Sequence, residues 1–155
     1  MAEATINNEM ERETPKQIIS RWLGVQEDEI RAKKEHHYGL PVFSTPNSSV
    51  AIALSEKEAD KACIKAVKEN LYTFSGTYIA ETCDIELGNV IGPIIEKAIE
   101  CAAESVNADL LLLVEHAIGL EEFTEAAIED IGRGKILSSK DAAEHEFGGS
   151  YLYFV

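Results

Sequence analysis

Apolar and polar positions along the chain recur with two periods, and each period predicts a kind of element. Thr14-Pro15 reads as a helix N-cap followed by proline at the first helical position, where no intrahelical N–H bond is lost. Ile18, Ile19, Trp22 and Leu23 then share one face, and Gly24 ends the helix. A second short helix is expected from Glu27 through Ile30 to about Glu35. Val50, Ile52 and Leu54 alternate with alanines, which predicts a half-buried strand with a close neighbour on its small side. Ser55 and Glu58 have the spacing of a capping box, in which each side chain serves a free backbone N–H. They open a helix to about Tyr72. Its inner stripe is Ala59, Ala62 or Cys63, Ala66 or Val67, and Asn70 or Leu71.

Farther along, Phe74, Tyr78 and Ile79 predict a short helix within Thr73 to Cys83. A long helical segment follows from Ile85 to Ser105, with Ile91, Ile94, Ile95, Ala98, Ile99, Ala102 and then Val106 at 3.6-residue spacing. Gly92-Pro93 falls inside it, so a kink or a late start is expected. Asn107 to His116 is a helix or a connector, because a short apolar run fits both. Glu121 to Ile131 is helical, with Leu120, Phe123, Ala127 and Ile131 inward and Gly132 as its stop. Strands are expected at 135–139, 143–147 and 151–155, with Gly148-Gly149 as a hairpin turn. The pattern as a whole predicts an α+β fold. Four to six helices would pack around the 85–106 segment, beside a small, mostly antiparallel sheet that includes a C-terminal hairpin. Residues 15–155 would form one domain, preceded by a mobile acidic segment, 1–14.

A length of 155 residues suits one domain. The charge changes the picture more: 28 acids against 14 bases give −14. A phosphate-binding surface needs clustered Lys and Arg, so direct binding to nucleic acid or to an anionic membrane is not expected. Leu110-Leu-Leu-Leu-Val114 is far short of the roughly 18–20 apolar residues that span a bilayer. The first residues lack the basic and apolar regions of a secretory signal. Cys63, Cys83 and Cys101 form no CxxC pair, which points to reduced thiols and a cytoplasmic location.

Most of the net charge is local. Residues 81–131 hold thirteen acids and one base, while the segments 15–40, 56–69 and 132–155 are nearly neutral. Glu96, Glu100 and Glu104 form one i, i+4, i+8 row. Glu121, Glu125 and Glu129 form another, with Glu122 and Asp130 beside it. Like charges at i, i+4 cost a helix roughly 0.2–0.5 kcal/mol per pair. The rows read either as a solvated coat or as a surface for a basic protein partner. A cation site is the third reading, but no Asp-x-Asp-x-Asp-Gly loop is present.

Candidate chemistry is sparse. His36 and His37, with His116 or His145, are metal-ligand types without any HExxH or Cys/His spacing. No metal or cofactor is assigned to them. Gly132-Arg133-Gly134-Lys135 lacks the GxxxxGK[ST] spacing of a Walker A loop. Ser138, Ser139, Asp141 and His145 are triad residue types crowded into one turn, with no GxSxG elbow, so hydrogen bonding within a tight connection is expected instead. No catalytic residue is assigned. An alternative small-ligand or enzyme site would combine His36, His37 and Tyr38 with Arg133, Ser139 and Asp141. A further alternative is a structural role, with homo-oligomers formed through a strand edge at Tyr151–Val155.

His36-His37-Tyr38-Gly39-Leu40-Pro41-Val42, followed by the strand and the acidic-start helix, is one recognisable stretch. Gly132-Arg133-Gly134-Lys135-Ile136-Leu137-Ser138-Ser139-Lys140-Asp141, leading to Glu144, Glu146 and an aromatic end, is another. Together they resemble a family of small acidic proteins of bacteriophages and other mobile elements, over roughly residues 20–155. Lys140 and Ala142 stand where the family pattern has an aromatic residue and a glycine, and Lys135 where it has a histidine. That family has no assigned activity, so the resemblance carries over no catalytic residue. It implies a setting in the bacterial host cell, where such proteins include host-takeover and anti-defence factors, some of them imitating the charge of DNA.

Overall fold

The computed structural model of the protein describes residues 13–155, so the acidic segment expected to be mobile lies almost wholly outside the described residues. The architecture is α+β. One antiparallel sheet runs in the order β1-β2-β3-β5-β4. Its strands are β1 (Arg31–Ala32), β2 (Val42–Ser44), β3 (Ser49–Ala53), β4 (His145–Phe147) and β5 (Ser150–Phe154). The helices are α1 (Pro15–Leu23), α2 (Glu56–Glu69), α3 (Gly76–Thr82), α4 (Gly88–Ala102), α5 (Asn107–Ala117), α6 (Leu120–Ile131) and α7 (Arg133–Leu137). Helices α2 to α7 all lie in the chain between β3 and β5.

The local signals at the chain's helix ends behave as their chemistry requires. Thr14 and Gln17 cap α1 reciprocally, and Gly24 ends it in the left-handed region at φ 69°. The Ser55 hydroxyl accepts the Glu58 N–H at 3.2 Å. The Glu58 carboxylate accepts from the Leu54 N–H at 2.8 Å, one residue earlier than a capping box would place it. Gly148 and Gly149, at φ 61° and 77°, turn β4 into β5.

Strand β3 is where the core divides. Val50, Ala51, Ile52 and Ala53 are all fully buried, so the strand is covered on both faces and not half-buried as its alternation suggests. On one side Val50 and Ile52 pack with Ile18, Ile19, Ile30, Phe43 and Leu152 under α1. On the other, Ala51 and Ala53 meet Ala59, Ala62, Cys63 and Ala66 of α2. Small residues on both partners leave room for α2 to lie close to the sheet. One turn beyond Cys63, towards the C-terminal end of α2, Val67 enters a helical core with Leu71, Ile79, Ile95, Leu110, Val114 and Phe123.

Several expectations are corrected. Residues 27–35 hold only a 3-10 turn, Glu27–Glu29, before β1. The exposed edge strand β1 and the three-residue β2 are too short to leave a periodic signature. Residues 135–139 are not a strand; 133–137 form α7, whose buried Gly134 and Leu137 sit three apart on one face. Helix α4 is peripheral and not the hub of the helices. Only Gly92 and Ile95 are buried in it, and Ile94 is 60% exposed. Pro93 lies in its second turn. Finally, β5 pairs with β3 on one side and β4 on the other, so Tyr151–Phe154 is not a free strand edge.

Candidate functional site

The residues of the alternative ligand site are distributed over three separate arrangements. The first is built on Arg133, the first residue of α7. Its Nε and Nη2 donate to the two carboxylate oxygens of Glu144 at 2.7 and 3.0 Å, and its Nη1 donates to Asp60 at 2.9 Å. Glu56 accepts a longer bond from Nη2 at 3.4 Å. The guanidinium also lies over the Tyr151 ring, 4.9 Å from its centroid. The Tyr153 hydroxyl closes the network by donating to Glu144. Hydrogen bonding to Glu144 holds Arg133 firmly in its charged form, with Asp60 adding to it. Burial first, then the Glu144 contact, pushes the Tyr153 phenol well above its ordinary range. Cys63 lies beneath, and its thiol is pushed up to about 12, chiefly by burial. A thiol so far from ionisation is not a nucleophile at neutral pH. Arg133, with four of its five N–H donors engaged, therefore ties α2 and α7 to the segment before β4, and its charge is matched by carboxylates of the protein itself.

The second arrangement is the Ser138–Asp141–His145 turn. The Ser138 hydroxyl lies 2.8 Å from one Asp141 oxygen, and the His145 Nε2 lies 2.7 Å from the other. The carboxylate sits between hydroxyl and imidazole, so the imidazole does not face the serine and the Ser–His–Asp order of a nucleophilic triad is absent. The His145 contact, followed by the Ser138 hydroxyl and the Ala143 N–H, holds the Asp141 carboxyl below the usual aspartate range. His145 also packs against Trp22 and Phe154, at ring-centroid distances of 5.2 and 5.4 Å. Ser139 contributes its backbone, donating its N–H to the Phe154 carbonyl at 3.1 Å. These groups fasten the connection from α7 to the sheet, as their crowding in sequence suggests.

The third arrangement centres on the turn at 36–41. His37 and Leu40 exchange backbone hydrogen bonds of 2.9 Å, with Tyr38 at φ 50° and Gly39 at φ 86° between them. His36 is exposed, while the His37 Nε2 meets the Leu137 carbonyl at 2.6 Å. That bond brings the turn against α7. A cleft of about 340 Å³ opens there, with Tyr38, Asn70, Phe74 and Lys135 in its lining. Neither Asn70 nor Lys135 was among the site residues expected from the sequence. Asn70 could have been found as the C-cap of α2, whereas Lys135 reads there as part of a strand. Among the described residues, no group of three or more His, Cys, Asp or Glu side chains is placed to hold a metal ion.

The acidic rows are partly used by the fold. Glu96 accepts from the Gly76 N–H at the start of α3, at 2.5 Å. Glu104 accepts from the Tyr72 hydroxyl at 3.3 Å, and Asp130 from the Tyr78 hydroxyl at 2.9 Å. Burial first, then the Asp130 bond, raises Tyr78 to about 12. Glu100, Glu121, Glu122, Glu125 and Glu129 are exposed. Glu121 and Glu125 line a groove of about 580 Å³ between α2 and α6, over Ile64 and Ile128, with Lys57 and Lys61 on the α2 wall. A second hollow of about 630 Å³ shares Ile64, Glu121 and Glu125 and adds Glu115 and Glu122. The two hollows adjoin through these shared residues, with Ile64 in the lining of both, and together are termed the channel beside α6. Among the described residues, no helix is long and apolar enough to cross a membrane.

Compared with protein-family models, with curated proteins and with solved structures, the chain matches none.

Proposed function

We propose that the protein is a non-enzymatic binding protein that takes a basic, amphipathic segment of a partner protein along the channel between α2 and α6. The observation that carries this reading is the union of exposed glutamates and apolar floor in one place. Glu115, Glu121, Glu122 and Glu125 border the channel, and Ile64 lies at its base. An acidic face alone favours any cation. A face with apolar ground beneath it favours a cation that also has apolar side chains to bury, such as a Lys- or Arg-rich helix. Lys57 and Lys61 on the opposite wall set the polarity, so the partner's basic side faces α6. Electrostatic steering makes such association fast and sensitive to salt.

The resemblance to small acidic proteins of bacteriophages and mobile elements supplies the setting. On this reading the partner is a basic surface of a host protein in the bacterial cytoplasm, occupied during host takeover or defence evasion, with a DNA-like charge as the lure. The test is fluorescence anisotropy with a labelled synthetic helix bearing Lys on one face and Leu on the other. Binding is expected to weaken steeply with salt. It is also expected to weaken about tenfold or more in the E121Q/E125Q double variant, the scale of losing two close charge contacts. E100Q on α4 is the control and should bind as the parent does. Unchanged affinity in the double variant would reject the channel as the site.

A further inference from the structure

We propose that the cleft beside Tyr38 binds a small heteroaromatic carboxylate, independently of the channel on α6. Its volume, about 340 Å³, lies in the range of small-ligand sites, and its walls combine apolar and polar groups as such sites do. The polar groups have capacity that the protein itself leaves unused. Asn70 donates both amide hydrogens, one to the Tyr38 hydroxyl at 2.9 Å and one to the Ala66 carbonyl at 2.8 Å. Those two bonds fix the orientation of the amide and leave its Oδ1 with no donor among the described residues. The Tyr38 hydroxyl accepts from Asn70, and its own proton has no acceptor among the described residues. Lys135 is exposed at the cleft and, among the described residues, forms no ion pair. One acceptor, one donor and one cation therefore meet beside the apolar surfaces of Phe74 and Ile136.

The backbone at Tyr38 gives a second reason. Two positive-φ positions in a two-residue turn ordinarily call for Asn-Gly or Asp-Gly, because a side chain in the left-handed region crowds the following carbonyl. Holding tyrosine there costs roughly 1–2 kcal/mol. What tyrosine supplies, and asparagine or glycine at that position would not, is a phenol that reaches Asn70. Backbone strain that places one side chain in a cleft is a pointer towards function.

The unused groups define the ligand. An anionic end answers Lys135, an N–H answers Asn70 Oδ1, and a flat ring lies between Phe74 and Ile136. Indole-3-acetate has all three and serves as the probe. The experiment is a titration of the ¹⁵N-labelled full chain at millimolar probe, followed by amide chemical shifts. Shifts are expected at residues 38, 70–74 and 135–136. K135Q should weaken binding about tenfold, the scale of one charge-assisted hydrogen bond, and Y38F severalfold. Tryptamine, which replaces the anion by a cation, should not bind. The absence of shifts, shifts scattered away from the cleft, equal affinity in a K135Q protein that melts like the parent, or equal binding of tryptamine would each overturn the assignment.

Discussion

Arg133 shows how much of the polar order can rest on one side chain. Its side chain is only 11% exposed and is held by carboxylates from α2 and from the approach to β4. Removing it leaves Glu144 and Asp60 facing each other without a cation, and Glu144 is largely withdrawn from water. R133A is therefore expected to lower unfolding stability by about 2–4 kcal/mol in urea titration. R133K should recover only part, since an ammonium cannot reproduce the two parallel bonds to Glu144. Asp141 makes a pH-dependent contribution. Its folded carboxyl is held below the ordinary aspartate value of 3.8, chiefly by His145. Its stabilisation is thus complete above that value and is lost as pH falls through the lower folded value. A pH series of thermal melts should show parent stability falling more steeply below about pH 4 than that of D141N. The local role of Asp141 was legible from the crowding of Ser138, Asp141 and His145 in one turn, whereas for Arg133 only the residue type was. Which carboxylate meets Arg133 depends on bringing position 60 to position 144, and no spacing encodes that.

Among the helices, the closest approach is made by glycine. A Cβ at Gly76 would lie 2.5 Å from the Glu96 backbone nitrogen, and one at Gly92 would lie 3.1 Å from the Thr77 Cα. Helices α3 and α4 thus meet nearly backbone to backbone. G76A is expected to destabilise the protein by about 1–3 kcal/mol in the same urea titration, despite alanine's better helix propensity. The sequence makes Gly92 look like half of a Gly-Pro interruption, whereas its place in the fold is a contact surface. Elements with strong end signals were legible: α1 and α2 have side-chain N-caps, α6 is stopped by Gly132, all three carry an apolar stripe, and the Gly148-Gly149 turn marks its hairpin. Elements shorter than one full period were not. Lys135-Ile-Leu-Ser-Ser139 fits a strand and a single helical turn equally well, and the choice is made by Gly134, which lies against the backbone of Ala143 and Glu144.

The distribution of charge over the whole molecule was legible, because counting acids by segment needs no contacts. The sequence could not show that Glu96, Glu104 and Asp130 serve tyrosines and a helix end, nor that Glu121 and Glu125 line a channel shared with α2. The order of the sheet has a consequence for how the molecule assembles. Ala53 stands opposite Tyr151, and every helix from α2 to α7 lies in the chain between them. The central strand pair can therefore form only by closing a loop that holds most of the protein. The entropy of that closure grows slowly with length but must be met before any pairing between the two strands is gained. Local helices and the hairpins β1-β2-β3 and β4-β5 need only near neighbours in sequence, while the β3–β5 pairing that unites the sheet waits on a long-range contact. If that pairing forms after the folding transition state, substitutions across β3 and β5 are expected to speed unfolding more than they slow folding, which stopped-flow unfolding and refolding rates would check.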